Sequence, residues 1–358
     1  MVALASCTVL APPTIAQYCA PATPPSAGGY QAAFDSLRHT YAGWITGDGA
    51  FPVNLPDGRV VWMFGDTYTG RANSDGSIPG SAGFIHNSFV VQSGPCFAPL
   101  MAGSPSARLS IIPDPSPGQW YWPTAGVIEG GALRVFLWHM QQGNGGVPGL
   151  NFTTIDMRVA SFALPSLTFL GVQPLPFPTD GTHPYGATAV SAADGYVYAY
   201  GSASGNAYVA RTPLGDVTSG PWQFFTGSAW SSVPPAATPM TWPGSPPQSL
   251  FGTGAGPVSQ LWVVPYQGGY LGTAEPVDAF TSDVWAYTSA SPSGPWTYHG
   301  PIAATSVGIP SYSAQTRLNL PGATSPVVVY STNNGMFTGN PPTLNGYGPH
   351  FVTPSTLP

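Results

Sequence analysis

The chain has 358 residues and a formal charge of −6; only 6% of it is charged, with eight arginines and no lysine. That balance, without a basic cluster, excludes nucleic-acid binding, and a chain lacking lysine cannot build a Gly-x-x-x-x-Gly-Lys-Ser/Thr phosphate loop. Its 45 Gly and 43 Pro, set among 11 Trp, 17 Tyr and 17 Phe, describe many short strands separated by turns, with enough aromatic surface to fold.

Residues 1–28 are rich in Ala, Pro and Ser and read as a flexible leader or tether; residues 29–358 read as one domain. Leu4-Ala5-Ser6-Cys7 has the shape of a lipoprotein cleavage site, with Cys7 as a candidate lipid anchor. Only Met1 to Ala3 precede it, so either a signal lies upstream or the match is chance. With Cys7 lipidated, Cys19 and Cys96 remain as a candidate disulfide pair for an oxidising compartment. The cysteines and the six scattered histidines lack ligand spacing, so neither a catalytic metal nor a cofactor is expected. No stretch approaches the ~20 apolar residues that span a bilayer. The expected location is secreted or attached to the cell envelope. Residues 31–41 read as a loop in preference to a helical turn or a strand.

The next stretch, residues 44–67, organises the rest. It reads as two apolar strands joined at Pro56-Asp57-Gly58, since Asp-Gly between β-rich runs is a strong hairpin signal. Asp48 precedes the first strand and Asp66 follows the second, so a hairpin makes them neighbours at its open end. From there a loose unit recurs every 60 to 80 residues or so: a strand, a Gly-containing turn, a second strand and a third. The units begin near residues 50, 122, 186, 259 and 314. Units three and four also share Gly220-Pro221-Trp222 and Gly294-Pro295-Trp296, which assigns Trp222 and Trp296 to packing between units. Five such units predict an all-β, five-bladed β-propeller; a pair of two-sheet sandwiches is the alternative.

In a propeller, the starts of first and third strands and the ends of second strands share one face. That rule brings together Asp48, Asp66, His86, Asn87, Trp120, Tyr121, Trp122, His139, His183, Tyr185, Asn206, Asp283, Tyr312, Asn333 and Asn334. Asp57, Glu129 and Asp194, all hairpin-turn residues, fall on the other face, which sets Glu129 aside as a proton donor. Two carboxylates at one site are what glycosidic hydrolysis requires, one protonated and one ionised. Unequal burial or mutual repulsion would set the two pKa values apart. Asp48 and Asp66 are therefore the candidate catalytic pair. His86, Asn87, Trp120, Trp122, His139, His183, Tyr185, Tyr312 and Asn333 are candidates for binding a polyhydroxylated ligand. Each aspartate also has a purely structural reading, since Asp beside Gly commonly caps a turn.

Trp44-Ile45-Thr46-Gly47-Asp48-Gly49, Leu55-Pro56-Asp57-Gly58-Arg59, Trp62-Met63-Phe64-Gly65-Asp66-Thr67 and His86-Asn87-Ser88 resemble the opening of the actinobacterial domain-of-unknown-function 4185 proteins, now glycoside hydrolase family 183. The resemblance spans about residues 40 to 335 and is strongest in the first unit. It implies a five-bladed propeller, acidic catalytic residues at Asp48 and Asp66, and endo-acting cleavage of cell-wall D-arabinan. The charge-poor, Pro-rich fourth unit departs from the family pattern. The function so expected is an exported glycosidase acting on a cell-envelope polysaccharide. The alternatives are a non-catalytic carbohydrate-binding propeller, such as a surface or phage adhesion module, and a protein-interaction scaffold.

Overall fold

Glycine-bearing turns divide the chain into hairpins. Gly58, Gly130, Gly131, Gly195, Gly268 and Gly322 all adopt positive φ, the backbone that tight β-turns need and that side chains disfavour. The structure is a computed structural model; it describes residues 17–40, 43–144, 150–179, 184–203, 206–234, 238–241, 260–275, 283–306, 308–336 and 342–358.

Five antiparallel sheets follow one another along the chain. The first holds Phe51–Asn54, Val60–Phe64, Ser88–Ser93 and Cys96–Leu100, with Tyr18–Cys19 at its outer edge. The second holds Gln119–Glu129, Ala132–Gln142, Phe152–Ala163 and Thr168–Pro174. The third runs from Thr188–Ser191 through Tyr196–Ala203, Asn206–Pro213 and Gln223–Phe225 to Trp230–Ser231. Trp262–Tyr266, Gly269–Ala274, Asp283–Ser289 and Thr297–Ala304 make the fourth; Ser311–Arg317, Val327–Asn333 and Tyr347–Val352 make the fifth. The first strand of each sheet packs on the first strand of the next. The last and first sheets meet as well: Asn54 Nδ2 donates to the Asn319 carbonyl at 3.2 Å, and Gln315 Nε2 to the Ala50 carbonyl at 3.4 Å. All five first strands line one cavity. The arrangement is propeller-like.

Val60–Phe64 is buried at every residue, as a strand covered on both faces must be. Trp62 and Phe64 meet Tyr30 and Phe34 of a helix, Ala27–Leu37, together with Phe97 and Phe351. That helix corrects the expected loop. Tyr30, Ala33, Phe34 and Leu37 recur at helical spacing on its buried side, and the Ser26 side chain accepts from the Gly29 amide at 3.3 Å as N-cap. It packs on Tyr347–Val352, the last strand of the fifth sheet.

The expected boundary at residue 28 also moves. Tyr18–Cys19 pairs with the first sheet, and Cys19 is disulfide-bonded to Cys96 directly across the ladder. Residues 17–28 thus belong to the fold, whereas Cys7 lies outside the described residues. Gly220-Pro221-Trp222 and Gly294-Pro295-Trp296 share a cis peptide bond, a positive-φ glycine and a buried tryptophan. Trp222 packs on Phe177, and Trp296 joins the core of the third and fourth sheets.

Candidate active site

The ribbon that carries Asp48 and Asp66 does not end where the first sheet ends. Beyond Phe51 and Phe64 it continues as a separate sheet of Gly43–Gly47, Thr67–Gly70 and Gly83–Ile85. Between the two sheets it kinks at Gly49 and Ala50, with φ of +92° and +50°. Left-handed backbone at an alanine is uncommon and strained, and such devices recur beside functional sites because they re-aim side chains. The aspartates sit at this kink as direct neighbours. The Asp48 amide donates to the Asp66 carbonyl at 3.2 Å, and the Gly65 amide to the Asp48 carbonyl at 2.9 Å. A Cβ on Gly65 would lie 2.7 Å from Asp48 Oδ1, so glycine there leaves room for the carboxylate.

Each carboxylate has its own set of donors. Tyr312 Oη donates to Asp48 Oδ2 at 2.8 Å, and Asn333 is hydrogen-bonded to the same hydroxyl. Burial, and then the charge of Asp66, push the Asp48 pKa up to about 7, against the pull of the Tyr312 and Tyr347 hydroxyls. Asp66 Oδ1 accepts from Trp122 Nε1 at 2.7 Å and lies in hydrogen-bonding contact with His86 Nδ1 at 2.9 Å. The His86 ring stacks on Trp120 at 4.6 Å. The Tyr347 hydroxyl donates to the Asp66 carbonyl at 2.7 Å and ties the last strand to the kink.

Asp48, Gly65, Trp122, Trp138, Gln260 and Tyr312 line a pocket of about 80 Å³. It adjoins a second of about 360 Å³ that shares Trp138, Gln260, Tyr312 and Ser313. His86 and Trp120 border a third, of about 520 Å³, with Asp114, Gln119 and Gln142. The arrangement offers one carboxyl that retains its proton near neutrality, one held by N–H donors, and indole and phenol rings with amides around them.

Of the candidate residues, Asp48, Asp66, His86, Trp120, Trp122, Tyr312 and Asn333 come together here. Three do not. Asn87 is fully buried: its amide donates to the carbonyls of Ile112 and Tyr121 and accepts from the Ile112 amide. His139 bonds Asp156 at 2.9 Å and Gln119 at 3.2 Å on the other side of its strand. Tyr185 packs into the core against Phe177 and Phe224. His183 lies outside the described residues. Glu129 is buried on the far face, bonded to Arg134 and the Gly215 amide. The sequence reading missed Trp138, Gln260, Ser313, Tyr347 and Asp114. Trp138 was within reach: it pairs with Trp122, and a side-chain period of two turns it to the cleft while His139 faces away. Among the described residues no group of His, Cys, Asp and Glu could hold a metal, and no helix is long and apolar enough to cross a membrane.

Residues 31–353 match the family described as a domain of unknown function, DUF5005. The chain belongs to the DUF5005 family. No curated protein matches this DUF5005 member. Among solved structures, it is similar to a candidate hydrolase of Bacteroides ovatus, with a TM-score of 0.69 at 19% identity over 90% of this chain and 87% of that one. It is also similar to the GH43_1 enzyme of Xanthomonas citri complexed with xylotriose, at 0.51 and 14% identity over 86% of each chain. A GH43 β-1,3-galactosidase solved with galactodeoxynojirimycin aligns at 0.50 and 13% identity, over 87% of this chain and 90% of that one. At these identities the likeness is one of fold.

Proposed function

We propose that this DUF5005 chain is an exported glycoside hydrolase, built as a five-bladed β-propeller, that cleaves a cell-envelope polysaccharide with Asp48 and Asp66 as its carboxylate pair. One observation carries the reading: the two acids are backbone neighbours at a strained kink beside the cleft, and their surroundings differ. Asp48, raised to about 7, holds the proton that a leaving glycosidic oxygen needs. Asp66, steadied by Trp122 and His86, is the partner that activates water or attacks the sugar carbon. Trp122, Trp138 and Tyr312 offer faces to the C–H surface of a sugar, and Gln260 and Ser313 offer polar groups to its hydroxyls.

Resemblance of the first blade to glycoside hydrolase family 183 favours D-arabinan, with endo-cleavage. Among proteins of similar fold, the Xanthomonas citri GH43_1 enzyme binds a different glycan, xylotriose. The Cys19–Cys96 disulfide suits an oxidising compartment and supports export, with Cys7 as the lipid-anchor position. The test is oligosaccharide release from mycobacterial arabinogalactan, arabinan, xylan and galactan by the full chain. Release from arabinogalactan is the expected result, and no release from any of them would overturn the reading.

A second reading is a non-catalytic carbohydrate-binding module. It draws on the protein donors already on both carboxylates and on the small volume, about 80 Å³, beside Asp48. Glycan binding in the same panel without any product would favour it.

A further inference from the structure

The molecule has few cations, and most described ones have a counter-charge or a ring sandwich. Arg38, Arg59, Arg134 and Arg158 pair with Asp35, Asp57, Glu129 and Asp156. Arg211 lies over the rings of Tyr196 and Trp230, at 4.3 and 4.1 Å. Arg317 stands apart. It ends the strand Ser311–Arg317, whose second residue, Tyr312, bonds Asp48. Four residues separate them, with a β-bulge and a positive-φ Ser313 between the two. At Arg317's end, strands from all five sheets surround a cavity of about 470 Å³, with Arg317, Asn54, Asn319 and Ser191 on its polar wall.

The guanidinium has five N–H donors. Nε and Nη2 both donate to Gln315 Oε1, while Gln315 Nε2 reaches across to the Ala50 carbonyl. Among the described residues Arg317 makes no ion pair. Burial pushes its pKa down to about 10, and the group remains a cation at neutral pH. The Trp262 ring, 5.6 Å from the guanidinium carbon, limits where the head group can swing. A half-buried charge without a counter-ion is unfavourable, and the planar fork of arginine matches oxyanions through paired, charge-assisted hydrogen bonds.

We propose that this axial cavity, at the end remote from Asp48 and Asp66, is an anion-binding site anchored by Arg317. Its ligand is a small oxyanion or carboxylate. The bound anion bridges the seam where first and fifth sheets meet, since Asn54 and Asn319, which line the cavity, are hydrogen-bonded across that seam. The inference is independent of the hydrolase reading.

The experiment is calorimetric titration of the full chain with inorganic phosphate and, separately, acetate, at ionic strength fixed with NaCl. Saturable one-to-one binding of either anion is expected; preference for phosphate or for acetate identifies the favoured geometry. Arg317→Lys, a point charge without the fork, is expected to weaken it about tenfold, and Arg317→Gln to abolish it. Absence of saturable binding by the wild type overturns the proposal, as does unchanged affinity in Arg317→Lys or in folded Arg317→Gln. Should Arg317→Gln fail to fold, the wild-type and Arg317→Lys titrations decide.

Discussion

Asp48 is a carboxyl that the fold disfavours as a charge. Its pKa is raised in the folded state to about 7 from 3.8, so the native protein binds an extra proton between those values. The resulting stability is complete below about pH 4 and is lost as pH rises through 7. Asp48→Asn should therefore unfold at higher urea concentration than wild type at pH 8, by roughly 1–3 kcal/mol, with little difference at pH 4. A variant no more stable at pH 8 would contradict the buried, proton-retaining role. The donor from Tyr312 makes a second prediction. It favours the ionised form of Asp48, so Tyr312→Phe should raise the pKa further and carry the basic limb of the pH–rate profile to higher pH. Both aspartates were legible in sequence because they flank a hairpin. His139 was misplaced because strand parity, not position along the strand, decides which face a side chain meets, and Asn87 because its amide is taken up by the backbone of Ile112 and Tyr121.

At the scale of the element, the kinked ribbon holds the site. A Cβ at Gly65 would press on Asp48 Oδ1, the movable end of a side chain, rather than on backbone. Gly65→Ala should thus displace the carboxylate at small cost to the fold. The expected outcome is a loss of turnover of about tenfold or more with stability changed by less than about 1.5 kcal/mol. Stability loss without activity loss would sink that view of the kink. The hairpin itself could be read: the expected strand after the Asp57-Gly58 turn is the observed Val60–Phe64, a run of five apolar residues. The second sheet beyond the kink was not legible. Thr67–Gly70 and Gly83–Ile85 are short and lack a clean period, and pairing across 44–70 depends on the bend at Gly49 and Ala50. The helix at Ala27–Leu37 was hidden because two glycines open it and its apolar side is covered by residues distant in sequence, Trp62, Phe64 and Phe97 of the first sheet and Phe351 near the other end of the chain.

At the scale of the whole molecule, the ends of the chain come together. The N-terminal strand is stapled to the first sheet by Cys19–Cys96, across 77 residues of sequence. Closing a loop of that length restricts the unfolded chain, and replacing both cysteines by serine should lower unfolding free energy by roughly 2–4 kcal/mol in urea titrations. Equal stability of the two forms would mean that packing of Tyr18–Cys19 and the helix is sufficient alone. Five repeated units could be counted from turns and Gly-Pro-Trp duplication, since repetition leaves a period in sequence. How the last unit is completed leaves none, because its outer strand and the covering helix are supplied by opposite termini. The proposed function requires that Asp48 and Asp66 act together on a glycosidic bond. Its most direct test is the turnover of a cleaved polysaccharide by Asp48→Asn and Asp66→Asn beside the wild type, with folding checked by circular dichroism. The prediction is a fall of at least about a thousandfold in each variant with glycan binding retained; turnover unchanged in either would contradict it.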